Sequence, residues 1–209
     1  MVKRRLSAAT IAAQAGGYID QASGGVVPPI QPSTTFVRDR AYVPHASGNI
    51  YARDDSDTVR VAENILAQLD AAQVALLFPN GMAAIAAVFR ALPTGATVLL
   101  QAQIYWGTTK WVREFCSRRG MVLVEADLSK PENMDKLCAS HEPDLVFIET
   151  PSNPWLRSTD IAHAANKVHD VGGWLVVDAT AATPILTRVL DFGADIVMHS
   201  ATKGLNGHS

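Results

Sequence analysis

The stretch Ala194-Asp195-Ile196-Val197-Met198-His199-Ser200-Ala201-Thr202-Lys203-Gly204 decides the reading of the fold. Ile196 to Met198 is a short apolar run, the pattern of a strand buried on both faces. It opens directly into Ser200, Thr202 and Lys203. Two hydroxyls and one amine at the mouth of a buried strand suit an anion and a carbonyl held side by side. A lone lysine is ordinarily a solvated surface charge, so this reading depends on what the rest of the chain brings to the same place.

Upstream, short apolar runs alternate with helical periods. Val74–Phe78, Thr97–Leu100, Val122–Val124, Leu145–Ile148 and Trp174–Val177 read as strands. Met82–Leu92, Thr108–Arg119, Pro131–Ser140 and Asp160–Val171 read as the helices between them, with Pro131 suited to a first turn. With Ile196–Met198 this makes six strand-like runs, apolar throughout instead of alternating. Strands of that kind, joined by helices, build an α/β domain around a mostly parallel, doubly wound sheet with right-handed crossovers.

Before this region, residues 1–50 have no compact pattern. Pro28, Pro29 and Pro32 force an extended path, so an N-terminal arm is expected, followed by a domain over 51–209. A helix is expected after the polar stretch Tyr51-Ala52-Arg53-Asp54-Asp55-Ser56-Asp57, with Asp57 as its cap and Val59, Ala62, Leu66 and Leu69 at helical spacing.

Composition narrows the function classes. The 209 residues are 48% hydrophobic and 18% charged, ordinary for a globular protein, and the net charge of -2 offers no electrostatic footing for nucleic acid or a membrane surface. Cys116 and Cys138 lie in no CxxC or Cys/His cluster, so no structural metal is expected and a reducing, cytoplasmic setting is. Lys3-Arg4-Arg5 and the short apolar segment after it make a poor secretion signal. Dinucleotide and P-loop glycine fingerprints are absent from the sequence.

In a parallel sheet of this kind ligands bind beyond the carboxyl ends of the strands, so the residue after each run carries the chemistry. Pro79-Asn80-Gly81-Met82 opens a helix, where N–H groups and the positive helix end favour a phosphate. Tyr105 could lie against an aromatic ring. Pro151 and Pro154 would hold Asn153 in a rigid loop. Asp178, at the end of an apolar strand, is desolvated and wants a cationic partner such as a protonated pyridine nitrogen. Each signal has an ordinary structural reading alone. Together with Ser200, Thr202 and Lys203 they are the parts that pyridoxal 5'-phosphate requires.

Glu149-Thr150-Pro151-Ser152-Asn153-Pro154, Val176-Val177-Asp178-Ala179-Thr180 and His199-Ser200-Ala201-Thr202-Lys203-Gly204-Leu205-Asn206-Gly207-His208-Ser209 resemble the Cys/Met-metabolism pyridoxal-phosphate enzymes. The resemblance runs from Ala22 to Ser209 and implies the fold-type I architecture. It implies that Lys203 bonds the cofactor's carbonyl carbon and shuttles protons, and that Asp178 faces the pyridine nitrogen. Gly81 and Met82, with Ser200 and Thr202, would hold the phosphate. Tyr105 would stack on the ring and assist proton transfer, Asn153 would bind the phenolic oxygen, and Thr180 belongs to the same cofactor site. Tyr51 and Arg53 match residues that reach the phosphate of a neighbouring subunit, which implies a homo-oligomer, a dimer of dimers, acting on a small amino-acid substrate.

Five positions depart from the family pattern. Ser56-Asp57 replace Asn-Pro after Tyr-x-Arg-x-x, and Gly204, Ala181 and Asn80 stand where an aromatic, an aromatic and a serine are common. These departures lead us to expect a more open cofactor pocket. Family members also continue past the lysine into a domain that grips the substrate carboxylate, whereas this chain ends six residues after Lys203. The expectation is therefore either a fragment of a longer protein or a cofactor-binding half without its substrate clamp. By general similarity the chemistry would be that of cystathionine gamma-synthase. The alternatives are the cystathionine beta- and gamma-lyases, methionine gamma-lyase, an aminotransferase, and a non-catalytic remnant.

Overall fold

The computed structural model describes residues 6–205 and 207. The chain forms two compact units, the first ending at Leu77 and the second beginning at Phe78.

In the first unit, helix α1 (Ala8–Ala13) is capped by Ser7, and helix α2 (Asp57–Asp70) by Ser56. The cap of α2 is thus one residue earlier than the pattern indicates. Ser56 is extended and its hydroxyl accepts the Val59 N–H at 3.3 Å. Asp57 is the first helical residue, where its charge suits the helix start, and it takes hydrogen bonds from Asn49 and Arg60. Thr58 pins the proline-rich segment. Its hydroxyl donates to the Pro29 carbonyl at 3.1 Å and accepts the Gln31 N–H at 3.0 Å.

The run Val74–Phe78 is not a strand. Its apolar composition fits one, but no described segment pairs with it, and a strand is defined by its ladder. Val74 and Leu76 are 69% and 68% exposed.

The second unit alternates as expected. Helix α3 (Gly81–Ala91) leads to strand β1 (Thr97–Gln101), α4 (Trp106–Arg119), β2 (Val122–Ala126), α5 (Pro131–His141) and β3 (Leu145–Glu149). Then come α6 (Ile161–Asp170), β4 (Trp174–Asp178), the short α7 (Thr183–Leu186) and β5 (Ile196–Met198). Five of the six strand-like runs form one sheet of order β2-β1-β3-β4-β5 with every pair parallel.

Strand residues alternate between two cores. Leu99, Val146, Ile148, Leu175 and Val177 pack on one face with Met134 and Cys138 of α5 and Ala164 and Val168 of α6. Val98, Leu100, Leu145, Phe147 and Val176 pack on the other with Ile85 and Phe89 of α3 and Val112 and Cys116 of α4. Both faces being covered explains why the strands are apolar throughout. Among the described residues no helix is long and apolar enough to cross a membrane, and no group of His, Cys, Asp or Glu could hold a metal ion.

Candidate active site

The carboxyl ends of β1, β3, β4 and β5 lie side by side, so the residues that follow them form one edge. Register places Glu149 beside Asp178, and Asp178 beside Met198. Helix α3 begins at that edge. A Cβ added to Gly81 would lie 3.0 Å from the Met198 methyl and 3.2 Å from the Ser200 Cβ. A side chain there would make Met198 or Ser200 give way by a few tenths of an ångström. Asn80 caps α3 by accepting the Ala83 N–H at 2.9 Å, a task serine also performs. The first N–H groups of the helix, those of Gly81 and Met82, have no carbonyl partner within it.

Asp178 ends β4 and is only 6% exposed. Burial raises its pKa, against hydrogen bonds from Thr180 and the positive charges of His199 and Lys203. The Thr180 N–H donates to Asp178 at 3.0 Å, and the Thr180 hydroxyl accepts the Ser200 N–H at 2.8 Å. Ser200 in turn accepts the Lys203 N–H through its carbonyl at 3.0 Å. A continuous chain of hydrogen bonds therefore runs from Asp178 to the lysine turn. Thr202 and Lys203 are exposed.

Tyr105 occupies the position just before α4 without a side-chain cap bond, and its ring lies over Gly107, where a Cβ would come within 2.6 Å of it. Asn153 sits in the loop after β3, between the cis Thr150–Pro151 and Asn153–Pro154 bonds. Both residues donate a backbone N–H to the Glu149 carboxylate, Tyr105 at 2.6 Å and Asn153 at 3.1 Å. Burial pushes the Glu149 pKa up to about 7, assisted by the Asp178 charge and opposed by these two N–H groups.

A family profile described as Cys/Met metabolism PLP-dependent enzyme matches residues 9–209. The chain belongs to this family. It is 39% identical over 203 residues to the cystathionine gamma-lyase of Sus scrofa, covering 96% of this chain and 49% of that protein. It is 35% identical over 199 residues to the cystathionine gamma-synthase/O-acetylhomoserine (thiol)-lyase of Bacillus subtilis, covering 94% and 52%. The crystal structure of cystathionine gamma synthase from Xanthomonas oryzae pv. oryzae in complex with cystathionine superposes with a TM-score of 0.91 at 36% identity, covering 99% and 53%. The chain spans about half the length of the curated relatives it matches.

The family's cofactor is pyridoxal phosphate, and the residues present fit it. The helix start against Ser200 suits a phosphate, and a buried carboxylate near Lys203 suits a protonated ring nitrogen beside a reactive amine. In this Cys/Met-metabolism chain the second unit gathers Gly81, Met82, Tyr105, Asn153, Asp178, Thr180, Ser200, Thr202 and Lys203 around one sheet edge. Tyr51 and Arg53 belong to the first unit. There the Arg53 guanidinium donates to the Tyr51 hydroxyl at 3.1 Å and lies 5.1 Å from its ring centre. The Ser56-Asp57 departure leaves the start of α2 intact, because Ser56 caps it.

At Gly204 an added Cβ would sit 2.4 Å from the Thr183 methyl, so Thr183 occupies the space beside it. Reading the sequence missed Glu149 and Gly107 as individual site residues. Glu149 stood in the quoted Glu-Thr-Pro-Ser-Asn-Pro motif, and an acidic residue closing an apolar run was the available signal. Nothing in sequence marked Gly107, whose role arises only from the Tyr105 rotamer.

Proposed function

We propose that this chain is the cofactor-binding part of an enzyme that makes or breaks the bond between sulfur and the gamma carbon of a cystathionine-type amino acid. The observation that carries the reading is the hydrogen-bonded run from Asp178 through Thr180 and Ser200 to the Lys203 turn, at a sheet edge that α3 also enters. Pyridoxal phosphate, when bound, supplies an electron-withdrawing ring for carbanion chemistry at the substrate's alpha carbon.

The remaining work falls to this chain's own groups. Gly81 and Met82 N–H groups with the Ser200 and Thr202 hydroxyls would hold the phosphate. Asp178 would keep a proton on the ring nitrogen. Asn153 would take the phenolic oxygen and Tyr105 would flank the ring. Lys203 would anchor the cofactor and move protons through its Nζ, a task that requires a neutral amine. Tyr51 and Arg53 would serve the phosphate of a second subunit, which makes the working unit a homo-oligomer. The unpaired, buried Cys116 and Cys138 support a reducing, cytoplasmic setting.

Both the gamma-synthase and gamma-lyase directions are represented among relatives of similar identity. The synthase direction, joining an activated homoserine to cysteine, is our first reading on general similarity. The test is to add pyridoxal phosphate to the purified chain, record the visible absorption, reduce with borohydride and map the labelled peptide. Label on Lys203 is expected. A folded chain without a visible band, or with label elsewhere, would overturn the assignment. Assay with cystathionine and with O-succinylhomoserine plus cysteine then separates the two directions, and a keto-acid product that retains the gamma substituent would indicate an aminotransferase instead.

A further inference from the structure

We propose that Glu149 is a positioning residue that sets the placement of Tyr105 and Asn153, the two groups assigned to the ring of the cofactor. This rests on the cofactor reading above and adds to it the device that aligns two separate loops.

Four observations converge. Glu149 is the last residue of β3, the central strand of the sheet. It is 5% exposed, so its carboxylate must find its partners within the protein. Its two oxygens are divided between two loops. One accepts the Tyr105 N–H, which begins the helix after β1, and the other accepts the Asn153 N–H, in the loop after β3. A carboxylate is the one side chain of this length with two acceptor atoms and no donor.

Glu149 is itself held from behind. Its N–H donates to the Gln101 side-chain oxygen at 3.2 Å, and the Thr159 hydroxyl donates to the same oxygen at 3.4 Å. Gln101 is fully buried, and its amide nitrogen has no hydrogen-bond partner among the described residues. The amide oxygen of Gln101 thus accepts from both Glu149 and Thr159. The effect is a rigid ruler. Gln101 on β1 fixes Glu149 on β3, and Glu149 fixes both the Tyr105 loop and the Asn153 loop, directly beside Asp178 on β4.

The decisive experiment measures amide hydrogen exchange and visible circular dichroism of the chain loaded with pyridoxal phosphate. In the unmodified chain the Tyr105 and Asn153 amides are expected to exchange at least about tenfold more slowly than unbonded loop amides. In Glu149→Gln, which keeps the volume but removes one acceptor and adds a donor, both should exchange at least tenfold faster while Val146, Phe147 and Ile148 stay protected. The cofactor's visible dichroism should fall, and its Kd should rise about tenfold. Should Glu149→Gln fail to fold, the unmodified chain still decides, because an unprotected amide at either Tyr105 or Asn153 overturns the proposal. Unchanged exchange and dichroism in the variant, with a normal band in the unmodified chain, overturn the positioning role alone. Absence of any band in the unmodified chain overturns the cofactor reading beneath it.

Discussion

The Thr180 hydroxyl accepts the Ser200 N–H at 2.8 Å. This bond joins the turn after β4 to the turn after β5, and so joins the Asp178 loop to the lysine loop. Thr180→Val keeps the side-chain shape and leaves the half-buried Ser200 N–H without its acceptor. The expected loss is about 1–2 kcal/mol, read by urea unfolding with an unchanged slope. Thr180→Ser keeps the oxygen and should lose little. Equal stability of the valine and serine variants would show that the bond does not hold the two loops together.

Gly204 and Thr183 compete for one volume. A Cβ at 204 would meet the Thr183 methyl at 2.4 Å, and Thr183 already carries a positive φ of 59°, unusual for a branched residue. Gly204→Ala should therefore destabilise by about 1–3 kcal/mol through overpacking. Thr183→Ser removes the offending methyl and keeps the hydroxyl that accepts the Ile185 N–H. A double-mutant cycle should recover most of the loss. Strict additivity of the two changes would refute the steric account.

Burial of Glu149 makes the chain without cofactor sensitive to pH. Its ordinary carboxyl value of 4.5 is pushed up to about 7 in the fold, and burial raises Asp178 in the same direction. A raised folded value means the native state holds its proton longer than the unfolded chain. Stability from Glu149 is thus fully present below about pH 4.5 and is lost as pH rises through about 7. At about 1.4 kcal/mol per pH unit, the change across that window is on the order of 3 kcal/mol. Compared from pH 5 to 8, the unfolding midpoint of the unmodified chain should fall relative to that of Glu149→Gln, which has no carboxyl group there to titrate. Parallel curves would exclude Glu149 as the source.

Much of the second unit was legible because burial on both sheet faces leaves a direct mark on composition. Five apolar runs became strands and the polar residues after four of them became the site edge. Val74–Phe78 carried the same mark and misled, since apolar composition reports burial tendency while a strand also needs a neighbour to pair with. The cap at Ser56 was misread by one position because Ser and Asp are equally good caps and adjacent here. Site residues with side-chain chemistry, such as Lys203 and Asp178, were readable from type and place. Glu149 and Gly107 were not, because the first acts through other residues' backbones and the second through the absence of a side chain.

Asp178→Asn separates the cost of burying a charge from its use. The substitution preserves volume and an oxygen to accept the Thr180 N–H, now at 3.0 Å, and removes the charge that burial opposes. Without cofactor, the unfolding midpoint at pH 8 should equal or exceed that of the unmodified chain, because a neutral amide is cheaper to bury than a carboxylate. With cofactor the order reverses. An amide would not balance a protonated ring nitrogen, so on the function proposed above turnover should fall at least about a hundredfold, equivalent to about 3 kcal/mol in the barrier. Borohydride should still label Lys203, since its amine is untouched. The pair of measurements matters more than either alone. A variant that is less stable without cofactor and equally active with it would mean that Asp178 serves the fold and not the ring.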